Sequence, residues 1–415
     1  TGTLTIPALG TVIVSKHAVS GNILVNDVVT TGATSTAVKN IVMTGTAAVE
    51  TIILDFANGT FAPGVLAGPG ITYATGGAAD LFKIRGQATA ADTVSVGGTG
   101  TAMDIAFNTD TYKDISVTGA TATVNTFSLG GGNDVLNALT GAYGTGAAAF
   151  TGAVIVYGGE GDDTLTGGDG ADTFYGDNGN DTMNGGTNTG AVSDVYNGGG
   201  GTADVVTYAG RAGAVTVTVG AGANDGANAS ETDNVMSDVE VVRGGNGNDT
   251  FTGWTGNQTF YGSLGDDTFL MGLVATTGAG DDTVYGEAGT DTVNYATRTA
   301  TITVTMDLNA ANDGEPTIEL DNIRDDVENL VCPTAVVACN ATGNALANSL
   351  TGGGGSNTLS GGTGDDTLVA GALADVLSGG TGDDIFTVGA AATGAVRFIG
   401  GAGVDTVNFA TFGAT

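Results

Sequence analysis

Along the last two thirds of this chain, apolar residues recur at intervals of nine. Leu165, Phe174 and Met183 are spaced that way, as are Phe251, Phe260 and Phe269, and Leu350, Leu359, Leu368, Leu377 and Phe386; Val284, Val293 and Val407 extend the column. Each is flanked mostly by Thr, Ser or Asn. One apolar side chain between two outward ones is the signature of a very short strand with one buried face, because side chains alternate along a strand. The six residues between successive strands are rich in glycine, and no stretch shows the 3.6-residue period of an amphipathic helix. The pattern predicts an all-β solenoid. Two nine-residue units make one flattened coil, and coils stack as parallel strands about 4.8 Å apart.

The polar positions of the unit are as regular as the apolar ones. GGEGDDTLT and GGDGADTFY run back to back over residues 158–175, and GGNGNDTFT, GGTGDDTLV, GGTGDDIFT and GGAGVDTVN start at Gly244, Gly361, Gly379 and Gly400. Glycines at the first, second and fourth positions let the backbone turn sharply at positive φ and point its carbonyls at one spot. The sixth position adds a carboxylate. Calcium takes about six to eight oxygens, carbonyl and carboxylate mixed, so one turn is too few and two stacked turns suffice. The expected ligands are Asp134, Asp163, Asp172, Asp181, Asp249, Asp267, Asp282, Asp291, Asp366, Asp375, Asp384 and Asp405. A turn should face the turn two units on, so that Asp163 shares an ion with Asp181, Asp249 with Asp267, and Asp366 with Asp384. A flexible Gly/Asp linker would not keep an apolar residue in phase with each Asp.

Some units depart from the pattern. Gln258, Asn348 and Asn357 stand where Asp is expected, so those sites should be weak or empty. Asp181, Asp267, Asp282 and Asp291 lie in units that lose one glycine, and Asp375 in one that lacks the turn glycines. Interruptions near 187–192, 271–276 and 388–390 should bulge as loops.

A longer repeat separates the nonapeptide blocks: residues 204–242 align with 291–331. Each copy has a strand (VTVTV, ITVTM) and an acidic loop. Asp225, Glu231, Asp233 and Asp238 form one candidate extra calcium site, mirrored by Asp313, Glu319, Asp321 and Asp326; the alternative is a solvated acidic loop. Arg211 and Arg298 should pair with nearby carboxylates. A third copy starts at Asp405, so the natural protein is expected to continue. The organisation read from the sequence is a β-rich region at 1–128, repeat blocks at 129–207, 244–294 and 343–408, long repeats at 208–243 and 295–342, and the start of a third at 409–415. Residues 1–128 show short β-branched strands without good nonapeptides, predicting an irregular solenoid or a sandwich.

Charge sharpens this picture. The chain has 415 residues and a net charge of −34, with 9 acids and 5 bases in residues 1–150 against 35 acids and 5 bases in 151–415. That density opposes collapse unless cations neutralise it. It also argues against nucleic acid and anionic membranes as partners. No run reaches the roughly 18 apolar residues of a membrane span. Cys332 and Cys339 can close a small disulfide loop in an oxidising compartment.

The nonapeptides resemble those of the RTX (repeats-in-toxin) family over residues from about 130 onward. That resemblance implies a calcium-bound parallel β-roll, export by type I secretion, and folding outside the cell. AVETIILDF and ADTVSVGG resemble, in composition, segments of bacterial surface-layer proteins. No HExxH motif and no GxSxG in a strand–turn–helix context is present, and the lone His17 lies beside a predicted strand. Carboxylate pairs are abundant, but the repeat accounts for them. The expectation is a non-enzymatic, calcium-stabilised extracellular or cell-surface structural protein that associates with copies of itself, with a cell-surface polysaccharide as a second candidate partner. The alternatives are the secretion module of a larger RTX enzyme or toxin, or the stalk of an adhesin.

Overall fold

The computed structural model describes residues 2–7, 11–16, 22–26, 28–34, 38–44, 51–56, 71–74, 81–87, 91–99, 102–107, 115–118 and 124–139, and then 149–409 except 188–191, 228–230, 254–255, 272–279, 309–311, 317 and 390–391. Among these residues every regular element is a strand. The interruptions expected near 187–192, 271–276 and 388–390 fall largely outside the described residues, as does His17. The chain forms two compact units, Thr1–Tyr208 with Ala229–Val239, and Ala209–Asn228 with Glu240–Thr415.

In the first unit two sheets wall a solenoid. One wall runs through Thr93–Thr99, Val135–Asn137, Thr164–Thr166, Thr182–Asn184 and Val205–Thr207. The other runs through Thr51–Asp55, Leu81–Arg85, Val124–Gly131, Val154–Glu160, Thr173–Asn178, Val195–Gly200 and Asn234–Val235. All these neighbours pair in parallel. Leu165 stands opposite Met183, two units on, as the nine-residue period requires. The region before residue 128 is solenoid rather than sandwich: Val38–Thr44 pairs in parallel with Gly2–Pro7 and Ile71–Ala74, and Thr11–Lys16 with Thr51–Asp55. It is irregular because antiparallel strands interrupt it. Ala102–Phe107 lies between Thr93–Thr99 and Ile115–Thr118, and Asn22–Val25 pairs antiparallel with both Thr11–Lys16 and Val28–Thr34.

In the second unit one wall is continuous from Thr216–Thr218 through Thr250–Thr252, Thr268–Leu270, Thr292–Asn294, Asn329–Val331, Ser349–Thr351, Thr367–Ala370 and Ile385–Val388 to Thr406–Phe409. The opposite wall comes in two parts. Val241–Arg243, Thr259–Leu264, Thr283–Ala288 and Asn322–Ile323 form the first; Ile302–Thr305, Cys339–Thr342, Thr358–Thr363, Val376–Thr381 and Arg397–Ala402 form the second. The change of part falls inside the second long repeat, whose strands enter both walls. The Cys332–Cys339 disulfide is present, with Cα atoms 6.0 Å apart. It ties the end of Asn329–Val331 on one wall to the start of Cys339–Thr342 on the other, at a buried corner.

The core is the predicted apolar column. Leu165, Phe174, Met183, Phe251, Phe260, Phe269, Val284, Val293, Leu350, Leu359, Leu368, Leu377 and Phe386 are all buried. Phe251 and Phe269 stack with centroids 5.3 Å apart. Val407 is a correction. It is 38% exposed, because its strand pairs only with Ile385–Val388 and no further described strand covers it. On the outer surface Tyr261 stacks on Tyr285, centroids 4.6 Å apart, since parallel in-register strands put like positions one above another.

One buried ion pair stands outside the column. Arg298 Nη1 is 2.7 Å from Glu319 Oε1, and both side chains are buried; Arg298 Nε also donates to the Met271 carbonyl. Removing one member of such a pair leaves an uncompensated charge, at a cost of about 3–5 kcal/mol. Arg298→Ala should therefore lower the stability of the second unit by about that amount in calcium-saturated chemical denaturation, while Arg324→Ala, whose guanidinium lies over the Tyr285 ring at 5.4 Å, should cost far less.

Candidate calcium sites

The turn at 262–267 shows how one site is built. A Cβ on Gly262 would strike Oδ2 of Asp267 and, at 2.6 Å, the carbonyl oxygen of Gly286 one coil on. Only glycine leaves those two oxygens facing each other across the turn. Oδ1 of Asp267 accepts the Asp249 N–H at 2.7 Å, which locks the carboxylate to the preceding coil. Oδ2 is buried with no hydrogen-bond partner. The same cradle recurs at Gly158 with Asp163 and Gly176, at Gly176 with Asp181 and Gly198, and at Gly244 with Asp249 and Gly262.

Repetition turns these clamps into rows. In the first unit the N–H groups of Asp134, Asp163 and Asp181 donate to Oδ1 of Asp163, Asp181 and Asp204 at 2.7, 2.7 and 2.8 Å, and Asp92 N–H donates to Asp134. On the other edge Val154, Asp172 and Asp194 donate to Asp172, Asp194 and Asp233, each at 2.8 Å. In the second unit one row runs Val215 to Asp249, Asp249 to Asp267, Asp267 to Asp291 and Asp291 to Glu328, then Asn348 to Asp366, Asp366 to Asp384 and Asp384 to Asp405. Its opposite row runs Gln258 to Asp282 to Asp321, and Asn357 to Asp375. The pairings expected for Asp163 with Asp181, Asp249 with Asp267 and Asp366 with Asp384 are thus neighbours in a row.

Electrostatics says what such a row lacks. Burial raises Asp163, Asp172, Asp267, Asp282 and Asp291 to about 7, and Asp134, Asp181, Asp249 and Asp366 to about 6. Neighbouring carboxylates add to the effect: Asp134 and Asp181 push Asp163 up, and Asp249 and Asp291 push Asp267 up. Asp134, Asp163, Asp181, Asp267, Asp291, Asp366 and Asp384 each keep one buried oxygen without a hydrogen-bond partner. A buried carboxylate with an unsatisfied oxygen is costly, and a divalent cation between turns relieves both the burial and the repulsion. Among the described residues no three Asp, Glu, His or Cys side chains gather as a metal cluster. Each ion would be held by turn carbonyls with carboxylates from neighbouring coils, an all-oxygen set suited to calcium.

The first loop grouping read from the sequence is divided between the two units; in the second, Glu319 and Asp321 lie side by side over Gly314 and Asp313 bridges to Asp321, while Asp326 stands apart. Asp225 belongs to the second unit, Glu231, Asp233 and Asp238 to the first. Asp233 and Asp321 sit in the turn rows already traced. Asp225 and Asp313 cap their own strands, accepting the N–H of Thr218 and of Thr305, each at 2.6 Å. Glu319 pairs with Arg298 through Oε1 while its Oε2 is buried without a hydrogen-bond partner, and Asp326 accepts the N–H of Gly286 and Glu287 at 3.1 and 3.0 Å. Asp313 also accepts the Ile323 N–H through Oδ2 at 2.7 Å, and a Cβ on Gly314 would meet Glu319 Oε1 at 2.7 Å and Asp321 Oδ2 at 2.9 Å, so three of the four acids of the second loop are neighbours while Asp326 serves the turn at Gly286.

Sequence reasoning missed Asp92, Asp194, Asp204 and Glu328 as row members. Their units are irregular in length, but each precedes an inward residue by two: Val94, Tyr196, Val206 and Leu330, all buried. It also missed a second ladder at the fifth position. Asn180 N–H donates to Asp162 at 2.9 Å and Asp383 N–H to Asp365 at 2.8 Å. This ladder runs opposite to the first: the side chain clasps the following coil, whereas the sixth-position carboxylate clasps the preceding one. The recurring Asp-Asp and Asn-Asp doublets were its signal.

The amide-bearing turns close differently. Asn348 Nδ2 donates to the Glu328 carbonyl at 3.1 Å, and Asn357 Nδ2 donates to Gly355 O at 3.1 Å and Asp375 Oδ1 at 3.0 Å. At Gly343 the Asn348 Oδ1 still faces the Gly361 carbonyl, but an amide brings no charge to that cradle, and its N–H donors are taken up by protein oxygens. Asn348→Asp should therefore raise the number of bound calcium ions while destabilising the calcium-free chain by about 1–3 kcal/mol, measured by equilibrium dialysis and by denaturation in chelator.

Glycine-cradled carboxylates stacked in rows along a parallel, two-walled solenoid define a calcium-binding β-roll. The chain carries RTX repeats: the family model described as the RTX calcium-binding nonapeptide repeat (4 copies) matches residues 157–192, 236–269, 274–296, 342–377 and 361–392. Such repeats bind calcium, several ions to an array. No curated protein matches the chain.

Proposed function

We propose that this protein is a non-enzymatic, extracellular structural element whose rolls rigidify in calcium outside the cell and associate with copies of the chain into a surface layer, filament or sheath. The observation that supports this is the use of the acids. The sixth-position carboxylates are committed to clasping coils, so the chemistry concentrated in residues 151–415 is spent on stiffness. Export by type I secretion fits such a chain. Inside the cell low calcium leaves the acidic repeats uncollapsed and threadable, and abundant external calcium then drives folding. Electron microscopy of purified protein, with calcium and with chelator, tests the reading. Ordered polymers that form only in calcium support it. Dispersed monomers in calcium would favour a secretion module or adhesin stalk, as would a catalytic motif in flanking sequence.

A further inference from the structure

The wall that carries Asp267 and Asp291 passes next into a strand of the second long repeat, Asn329–Val331, which no nonapeptide precedes. The row nevertheless continues without a break in register. At a regular turn the first glycine faces its own Asp Oδ2 and the carbonyl of the first glycine of the next coil, as Gly262 faces Asp267 and Gly286. At Gly286 a Cβ would meet Asp291 Oδ2 and the carbonyl oxygen of Asp326, each at 2.5 Å. Asp326 thus stands where the next glycine would. At a regular turn the sixth-position N–H donates to the Asp of the next coil, as Asp267 N–H donates to Asp291 at 2.8 Å. Asp291 N–H donates instead to Glu328 Oε2, at 2.7 Å. Three residues, Asp326 to Glu328, reproduce what a six-residue glycine turn does, and the extra methylene of Glu328 spans the missing backbone. The Asp326 carboxylate holds this strap in place by accepting the N–H groups of Gly286 and Glu287.

We propose that this junction is a calcium site built half from a nonapeptide turn and half from the long repeat, with Asp291, Glu328 and the Asp326 carbonyl as ligands. Asp291 is fully buried, and its Oδ2 has no hydrogen-bond partner and lies over Gly286 opposite that carbonyl. The first unit carries the same substitution independently. There the Asp238 carbonyl and Asp204 Oδ2 lie over Gly198, and Asp238 Oδ2 accepts the Gly199 N–H at 3.1 Å. Asp238 and Asp326 occupy matching positions of the two long repeats. The second long repeat would then extend the calcium row one coil beyond the last nonapeptide turn of its block. The inference rests on the calcium reading of the regular turns.

Calcium bound to the full chain, measured by equilibrium dialysis at a free concentration that just saturates the wild type, tests it. Glu328→Gln keeps an acceptor for the Asp291 N–H but removes the charge, so it should lose a single ion, or bind that ion at least about tenfold more weakly, with β circular dichroism retained. Glu328→Asp, which withdraws the carboxylate by one methylene, should weaken the same ion. Asp325→Asn removes an equal charge from an exposed neighbour and should change nothing. A wild-type count in both Glu328 variants overturns the proposal, and so does an equal loss in Asp325→Asn, which would mark a field effect. A wild type that binds no calcium would overturn the reading of the regular turns as well, which separates the two failures.

Discussion

Chelating calcium should abolish most of the β circular dichroism contributed by residues 151–415, in one cooperative transition centred on a free calcium concentration rather than a graded loss. The physical reason lies in the rows. Asp249, Asp267 and Asp291 succeed one another on adjacent parallel strands, so the charge of each acts on the next across a single strand spacing. The apolar column is only one residue wide per strand, Leu165, Phe174 and Met183 being typical. One buried apolar side chain per strand offsets only part of the backbone entropy lost in ordering the nine residues of its unit. Hydrogen bonds between coils offset part of the difference, and ion binding must supply the rest, so folding and binding are one event. The measurement is a calcium titration followed by circular dichroism in parallel with intrinsic fluorescence. Retention of the β signal in excess chelator would sink this account.

The residues up to 128 should respond less. They hold few acids, and their core, with Ile52, Leu54, Phe82, Ile84, Val94, Val96, Met103 and Ile105 buried, packs more than one apolar residue per strand. Limited proteolysis in chelator should therefore leave a fragment from the N-terminal region.

How much of this was legible in the sequence depended on local regularity. The column from Leu350 to Phe386 keeps strict nine-residue spacing, and the inward face followed directly. The turn rows were readable wherever glycine and Asp kept their offset, as at Asp163, Asp366 and Asp384. Legibility failed where the backbone does the same job with different residues. Glu328 reaches a row position by side-chain length, and Asp204 closes a turn that is one residue too long; neither shows in a fixed-offset pattern. The grouping of Asp313, Glu319, Asp321 and Asp326 was legible only in part. Asp313, Glu319 and Asp321 lie close together ahead of Asn322–Ile323, whereas Asp326 follows that strand on the way to Asn329–Val331 in the opposite wall and serves the turn at Gly286. The choice between solenoid and sandwich before residue 128 was open because strand pairing partners there, such as Thr11–Lys16 with Thr51–Asp55, are far apart in sequence with no repeat to announce them.

The calcium-free protein should show an inverted pH response: acid should fold it. In the folded rows burial and neighbouring carboxylates hold Asp163, Asp267 and Asp291 at about 7, and Asp181, Asp249 and Asp366 at about 6, whereas an Asp in the unfolded chain titrates at about 3.9. A folded-state value above the unfolded one means that the folded state binds protons more tightly. The stability this contributes is fully present below about pH 4 and is lost as pH rises through 6 to 7. In chelator, β circular dichroism should therefore increase as pH falls from 8 towards 5, short of the pI near 4.1 where association intervenes. With calcium the sign reverses, because protons compete for the same oxygens. Affinity should fall as pH drops through 7 to 6, and binding at pH 6 should release protons, read as a buffer-dependent heat in calorimetry that vanishes at pH 8.5. Asn348 and Asn357 do not titrate, so the turns they close should contribute to neither effect. A calcium-free chain that loses β structure on mild acidification would contradict the burial of these carboxylates, since exposed Asp residues stay ionised over that range.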